Sequence, residues 1–115
     1  MTLDVQGQGF QIDDKGSLWN GASLYQLYQQ AYTPWEWHEP LFARAREQGM
    51  IAFSTPFDET AVDFLEGIGA PCYKIASFEN TDLPLIRRVA RTGKPMIMST
   101  GMASIAELDD SVRAA

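Results

Sequence analysis

Three hydroxyl side chains recur at even intervals and point to an anion-binding site. Thr55, Ser77 and Ser99 are spaced 22 residues apart, and each follows a short apolar run. Hydroxyls are neutral hydrogen-bond donors, and several of them beside helix N-termini suit a phosphate or a carboxylate. Lys74, three residues before Ser77, could supply the positive charge. A lysine inside an apolar stretch is costly unless it is paired or faces a ligand.

Each of these side chains also has a simpler explanation. A serine or threonine after a strand often only caps the next helix. Glu79, in the same loop as Ser77, can complement a helix dipole, or it can hold sugar hydroxyls and assist proton transfer. The even spacing together with an in-strand lysine favours the anion site. His38 and Cys72 are single residues of their types, which favours structural roles over a metal centre or a thiol nucleophile.

The elements that would position these residues alternate between strand and helix. Apolar runs at 50–54, 72–76 and 95–98 are expected as strands, and the first of them as a strand buried on both faces. Helical patterns lie between and around these runs. Their boundaries are marked by Ser23, the capping box Thr33–Glu36, Gly49, Asp58, Gly67, Gly69, Gly93, and the capping box of Ser104 with Glu107.

Short connections between alternating strands and helices predict parallel βα units. The 22-residue repeat favours a TIM-type barrel over an open doubly wound sheet. A complete barrel needs about 250 residues. The expected fold is therefore α/β, a partial TIM (β/α)8 barrel of about three consecutive parallel βα units over residues 23–115. Residues 1–22, with the turn signal Asn20-Gly21, are expected to form an irregular or hairpin-like lead-in.

Composition limits the classes of function. The chain has 115 residues, 45% of them hydrophobic and 21% charged, which suits one globular domain. Its formal net charge of −6 argues against nucleic-acid or anionic-membrane partners. A single cysteine suits a reducing compartment, and no apolar stretch approaches the ~20 residues of a membrane-spanning helix. Because the N-terminus lacks the basic start and apolar run of a signal peptide, a cytoplasmic location is expected.

Four ordered motifs resemble the sialic acid synthase family. They are Ser54-Thr55-Pro56-Phe57-Asp58, Tyr73-Lys74-Ile75-Ala76-Ser77-Phe78-Glu79, Gly93-Lys94-Pro95 and Ser99-Thr100-Gly101-Met102. Enzymes of this family condense phosphoenolpyruvate with an N-acetylated amino sugar in a TIM barrel. The stretches Leu18-Trp19-Asn20-Gly21 and Thr33-Pro34-Trp35-Glu36-Trp37-His38 resemble its pseudaminic acid branch. The neuraminate branch has Gly-Ser-Gly-Glu where this chain has Ala76-Ser77-Phe78-Glu79.

The resemblance implies roles for the candidate residues. Thr55, Lys74, Ser77 and Ser99 match residues that bind the phosphate of phosphoenolpyruvate, and Glu79 matches the acid that contacts the acceptor sugar. The implied reaction joins C3 of phosphoenolpyruvate to the aldehyde of 2,4-diacetamido-2,4,6-trideoxy-altropyranose and releases phosphate. It uses a divalent metal, Mn²⁺ or Mg²⁺, whose histidine ligands lie on later strands that this chain does not include. The full-length enzyme is expected to be a homodimer, in which a C-terminal antifreeze-like domain completes the neighbouring site.

Other functions stay open at this point. An N-acetylneuraminate or legionaminate synthase differs only in its acceptor sugar. A phosphate-handling aldolase would use Lys74 to form a Schiff base. A non-catalytic barrel fragment that binds phosphate belongs to a different class altogether. The isolated chain is expected to be inactive, because the resemblance places much of the site outside it.

Overall fold

The computed structural model describes residues 4–5 and 7–115. The chain divides into two compact units, Met1–Trp37 and His38–Ala115. The domain boundary expected between residues 22 and 23 stays a prediction, and residues 1–3 and 6 of the expected lead-in lie outside the described residues. Within the described part of the chain, no helix is long and apolar enough to cross a membrane.

The described residues of the first unit include a short hairpin-like pairing, a 3₁₀ helix and an α-helix. A 3₁₀ helix spans Gln8–Phe10, and Gln11 then forms an antiparallel bridge with Ser23. Helix α1 spans Leu24–Ala31. The Ser23 hydroxyl accepts a hydrogen bond from the Gln26 N–H, and the Gln26 side chain accepts one from the Ser23 N–H. This reciprocal capping satisfies N–H groups that the first turn would otherwise leave unpaired, and it confirms that α1 begins after Ser23.

Four further helices begin or end close to the predicted sequence signals. Helix α2 spans Trp35–Glu47, so its first residue lies inside the predicted capping box Thr33–Glu36. Helix α3 spans Glu59–Gly67, α4 spans Leu83–Ala90 and α5 spans Ile105–Ala114. Gly49, Gly69 and Gly93 follow helices with φ near +70°, a conformation in which a side chain is strained. These local signals predicted helix boundaries well because capping involves only neighbouring residues.

The sheet of the second unit is small and parallel. Strand β1 spans Tyr73–Ile75 and strand β2 spans Met96–Met98, and Lys74 is paired with Ile97. Ser54 extends the same sheet through a parallel bridge to Tyr73. The sheet order therefore follows the chain order, as expected for consecutive βα units, although the first of the three predicted strands is reduced to this bridge.

The hydrophobic core lies between one face of this sheet and the helices. Tyr73 and Ile75 have no exposed surface, whereas Lys74 between them is only partly buried. This alternation places Lys74 on the opposite face from the core, because successive strand residues point to opposite faces. The core consists of Phe42, Val62, Leu65, Ala70, Tyr73, Ile75, Leu85, Ile86 and Val89.

The expectation that residues 50–54 are buried on both faces was wrong. Ala52 packs against the core, but Ile51 and Phe53 are 78% and 45% exposed. Ile97 of β2 is 47% exposed as well. An apolar run predicts burial only where other elements cover both faces, and within the described residues the helices cover one face of this sheet.

Candidate anion site at the carboxyl ends of the strands

Lys74 and Ser99 meet where β1 and β2 end. The Lys74 Nζ donates hydrogen bonds to the Ser99 hydroxyl and, at 2.9 Å, to the Ile75 carbonyl oxygen. The Ser99 N–H donates to the same Ile75 carbonyl at 3.0 Å. An ammonium group has three N–H donors. These two bonds leave one donor, which can bind a ligand or another acceptor of the protein. A partly buried cation beside a hydroxyl is an arrangement that can bind an anion.

Ser77 lies in the turn that directly follows β1. It begins the 3₁₀ helix Ser77–Glu79, and its hydroxyl faces Gly101 in the loop after β2. A Cβ atom added to Gly101 would lie only 2.9 Å from the Ser77 Oγ. The loops after β1 and β2 therefore approach each other closely, and Gly101 makes room for the Ser77 hydroxyl.

Glu79 has a buried carboxylate oxygen with no partner. Its Oε2 atom is shielded from solvent and accepts no hydrogen bond from any described residue. Leaving a buried acceptor unpaired usually costs about 1–3 kcal/mol. Such a cost is common where a ligand supplies the missing donor, and a sugar hydroxyl is a donor of the right kind.

Thr55 lies at the same edge of the sheet without a side-chain hydrogen bond to the others in the described structure. It follows Ser54, which bridges Tyr73, and Tyr73 immediately precedes Lys74. Parallel pairing therefore brings Thr55 level with Lys74, one strand away at about 4.8 Å. Thr55 is partly exposed there.

None of the three hydroxyls serves as a helix cap. The N-caps of α3, α4 and α5 are Asp58, Asp82 and Ser104. The backbone N–H groups that these caps bind belong to Ala61, Leu85 and Glu107. The 3₁₀ helix that begins at Ser77 has no side-chain cap. The simpler explanation, that Thr55, Ser77 and Ser99 merely cap helices, is therefore wrong.

The helix caps also determine which groups at this edge can donate to an anion. Hydrogen bonds from the Thr60 hydroxyl and the Ala61 N–H hold the pKa of Asp58 below its usual range. Asp58 is therefore ionised at neutral pH and occupies the N-terminus of α3. Because caps of this kind take up N–H groups at the helix ends, Lys74 and the hydroxyls are left as the main donors to an anion.

The site also includes residues that sequence patterns did not single out. Asn80 and Ser111 are fully buried, and the Asn80 side chain donates to the Ser99 carbonyl at 2.9 Å. Gly101 is exposed and belongs to the motif Ser99-Thr100-Gly101-Met102, but its close approach to Ser77 was not predicted. An asparagine after a turn and a serine inside a helix are common on protein surfaces, so only the tertiary contacts reveal their positions.

The described residues do not form a metal centre. Among them, no three side chains of the His, Cys, Asp or Glu type lie close enough together to hold an ion. His38 instead packs its ring edge-on against Phe64, with ring centres 5.3 Å apart. Cys72 is a free, partly buried thiol.

The chain belongs to the NeuB family, whose members it matches over residues 1–115. It is 48% identical to a pseudaminic acid synthase from Helicobacter pylori over 112 residues. It is 44% identical to a pseudaminic acid synthase from Campylobacter jejuni over 108 residues. These matches cover 97% and 94% of the chain but only 32% and 31% of the two relatives. The chain thus spans about a third of their length, and the motif-based family assignment is confirmed.

A solved structure shares the backbone arrangement. The crystal structure of an N-acetylneuraminic acid synthetase from Leptospira borgpetersenii, in complex with citrate, superposes with a TM-score of 0.74 and 29% identity. The match covers 77% of this chain and 31% of that one. The α/β architecture described above is therefore that of a sialic acid synthase-type protein.

Proposed function

We propose that this chain forms the phosphate-binding wall of a synthase that condenses phosphoenolpyruvate with an N-acetylated amino sugar. The observation that carries the proposal is the contact of Lys74 with Ser99 at the strand ends, beside Ser77. Membership of a family of sialic acid-type synthases supports this reaction class. In a complete protein these strands would form part of a (β/α)8 barrel, whose active site lies at this edge.

The proposed phosphate site works by charge and position. Lys74 would place its remaining N–H on a phosphate oxygen, while the hydroxyls of Ser77, Ser99 and Thr55 donate to the others. Hydrogen bonds to a charged group are worth about 1.5–3 kcal/mol each. As C3 of phosphoenolpyruvate bonds to the sugar aldehyde and water adds at C2, phosphate becomes the leaving group. Donors already fixed in place can stabilise the charge on this departing group.

Glu79 would face the second substrate. Its unpaired Oε2 belongs to the same turn as Ser77. A carboxylate there can accept hydrogen bonds from sugar hydroxyl or amide groups and so orient the aldehyde carbon toward C3. Orientation of this kind can remove much of the barrier to joining two molecules.

The acceptor sugar we propose is 2,4-diacetamido-2,4,6-trideoxy-altropyranose. Pseudaminic acid synthases at 48% and 44% identity support it, as does the Trp-rich stretch that precedes α2 and continues into it. By the family resemblance, a divalent metal, Mn²⁺ or Mg²⁺, would be held by histidines on other strands of a complete protein.

The direct test uses a chimera of the Helicobacter pylori enzyme in which this chain replaces the 112 residues that it matches. The purified chimera is incubated with phosphoenolpyruvate, Mn²⁺ and one of three sugars, the acceptors for pseudaminate, neuraminate and legionaminate synthesis. Phosphate release is expected with the first sugar above the other two. A chimera that melts cooperatively and releases no phosphate with any sugar would contradict the proposal.

A second experiment separates the proposal from an aldolase. A Schiff base between Lys74 and a carbonyl substrate would be trapped by borohydride as a stable adduct. We expect no mass increase at Lys74 when the chimera is treated with borohydride and pyruvate. An adduct on Lys74 would assign the site to aldolase chemistry instead.

A further inference from the structure

Two polar side chains lie fully buried in the unit His38–Ala115. Asn80 and Ser111 each have no exposed surface. Burying such groups costs free energy unless their hydrogen bonds are made. Both groups are bonded, and their partners connect the core to the strand ends of the anion site.

Asn80 holds the backbone of Ser99. Its Nδ2 donates to the Ser99 carbonyl at 2.9 Å, while the Ser99 N–H donates to Ile75 at 3.0 Å. The Ser99 hydroxyl accepts from Lys74. Ser99 is thus fixed at its N–H, its carbonyl and its hydroxyl by three different residues. Asn80 supplies the contact that joins Ser99 to the turn after β1.

The same asparagine closes the turn that carries Ser77 and Glu79. Asn80 follows Glu79 directly, and its own N–H donates to the Ser77 carbonyl at 3.4 Å. One side chain therefore sets the distance between two loops. Ser77 and Glu79 lie on one loop, and Ser99 lies on the other.

Ser111 lies against both the backbone and the side chain of Asn80. Its Oγ lies 2.6 Å from the Asn80 backbone carbonyl oxygen and 3.1 Å from the Asn80 Oδ1. It also lies 2.7 Å from the Glu107 carbonyl oxygen, one turn back in α5, and its single proton can be given to only one acceptor at a time. With the Asn80 Oδ1 toward this hydroxyl, the Nδ2 points to Ser99, which is the orientation that the hydrogen-bond network requires.

We infer that Asn80, supported by Ser111, is a positioning residue that sets the spacing of the anion site across the two loops. The inference rests on the proposed function for the identity of the anion as the phosphate of phosphoenolpyruvate. Asn80 has no exposed surface, so it would act without touching the substrate. It acts through Ser99 and through the turn bearing Ser77, and it connects α5 to the site.

The first test measures kinetics in the chimera. Asn80→Asp keeps the shape but replaces the Nδ2 donor with an oxygen facing the Ser99 carbonyl. We expect the KM for phosphoenolpyruvate to rise about tenfold, because small displacements of binding groups can cost up to ~10²-fold. Ser111→Ala should raise the KM less, by roughly threefold on the same reasoning. Ser111→Thr, which keeps the hydroxyl, should restore a value near the original.

Tyr73→Phe is the matched control for lost stability. Tyr73 is also fully buried, and its hydroxyl donates to Glu66, which also pairs with Lys94. Its removal should lower the melting temperature while leaving the KM for phosphoenolpyruvate unchanged. The inference is overturned if Asn80→Asp and Ser111→Ala lower the melting temperature as Tyr73→Phe does, with no change in KM.

A second measurement separates this inference from the proposed function. Inorganic phosphate is titrated into the 115-residue chain, and ¹H–¹⁵N spectra report the amides of Ser77 and Ser99. We expect saturable shifts that need several times more phosphate in Ser111→Ala. If the chimera makes no product but this weakening is seen, only the proposed function fails. If phosphate does not bind, or binds the unsubstituted chain and Ser111→Ala equally, the positioning role is overturned.

Discussion

Gly101→Ala should disturb the anion site without disturbing the fold. The added Cβ would lie 2.9 Å from the Ser77 Oγ and 3.5 Å from the Ser77 Cβ. Ordinary contacts of a Cβ begin near 3.4 Å, so the hydroxyl must move by about 0.5 Å or rotate away. The backbone at Gly101 is not in the positive-φ region, so alanine adds no strain of its own. The effect is therefore confined to the position of the Ser77 hydroxyl.

The size of the effect follows from the bond that is weakened. A hydrogen bond to a charged group contributes about 1.5–3 kcal/mol, and 1.4 kcal/mol corresponds to a factor of ten. A partial loss should raise the KM of the chimera for phosphoenolpyruvate by roughly tenfold. The free energy of unfolding should change by less than ~1 kcal/mol, because Gly101 is exposed and makes no core contact.

A double-mutant cycle with Ser77→Ala checks the reasoning. Phosphate release at varied phosphoenolpyruvate is measured for the chimera, for each single variant and for the double variant. If Gly101→Ala acts through Ser77, it should have almost no further effect once the hydroxyl is gone. The account is refuted if Gly101→Ala raises the KM equally with and without the Ser77 hydroxyl. It is also refuted if Gly101→Ala raises the KM in neither case.

Two further predictions concern stability. Ile86→Ala should lower the free energy of unfolding by about 2–5 kcal/mol in urea denaturation, because Ile86 is fully buried. The same change at Ile105, which is 83% exposed, should have an effect below ~0.5 kcal/mol. Hydrogen bonds from Lys94 and Tyr73 hold the pKa of Glu66 below its ordinary value of 4.5. The contribution of Glu66 to stability is therefore complete above pH 4.5 and is lost as the pH falls through the lowered pKa. Over this pH range, the urea midpoint should decrease less in Glu66→Gln than in the unsubstituted protein.

Local sequence signals predicted much of the fold. Ser23, Asp58 and Ser104 each cap a helix, because a cap needs only a side chain and an N–H a few residues away. The strands β1 and β2 lie within the predicted apolar runs. The exposure of Ile51 and Phe53 was not predictable in the same way, since burial depends on which elements cover a face.

The candidate site was predictable in part for a similar reason. Lys74 and Ser99 stand out because a charge in an apolar strand and a repeated hydroxyl are visible in the sequence, and the structure brings them into contact. Asn80 and Ser111 are 31 residues apart, and their bond forms only when α5 packs beside α4. The role of Gly101 likewise depends on the approach of another loop.

The most direct test of the central claim is the effect of Lys74→Ala on phosphoenolpyruvate binding by the chimera. Lys94→Ala is the matched control, because Lys94 is also partly buried but pairs with Glu66 rather than with the site hydroxyls. Loss of a charge-assisted bond worth about 1.5–3 kcal/mol should raise the KM for phosphoenolpyruvate by at least ~10-fold in Lys74→Ala alone. An unchanged KM in a folded Lys74→Ala protein would contradict the claim that these strand ends bind the phosphate.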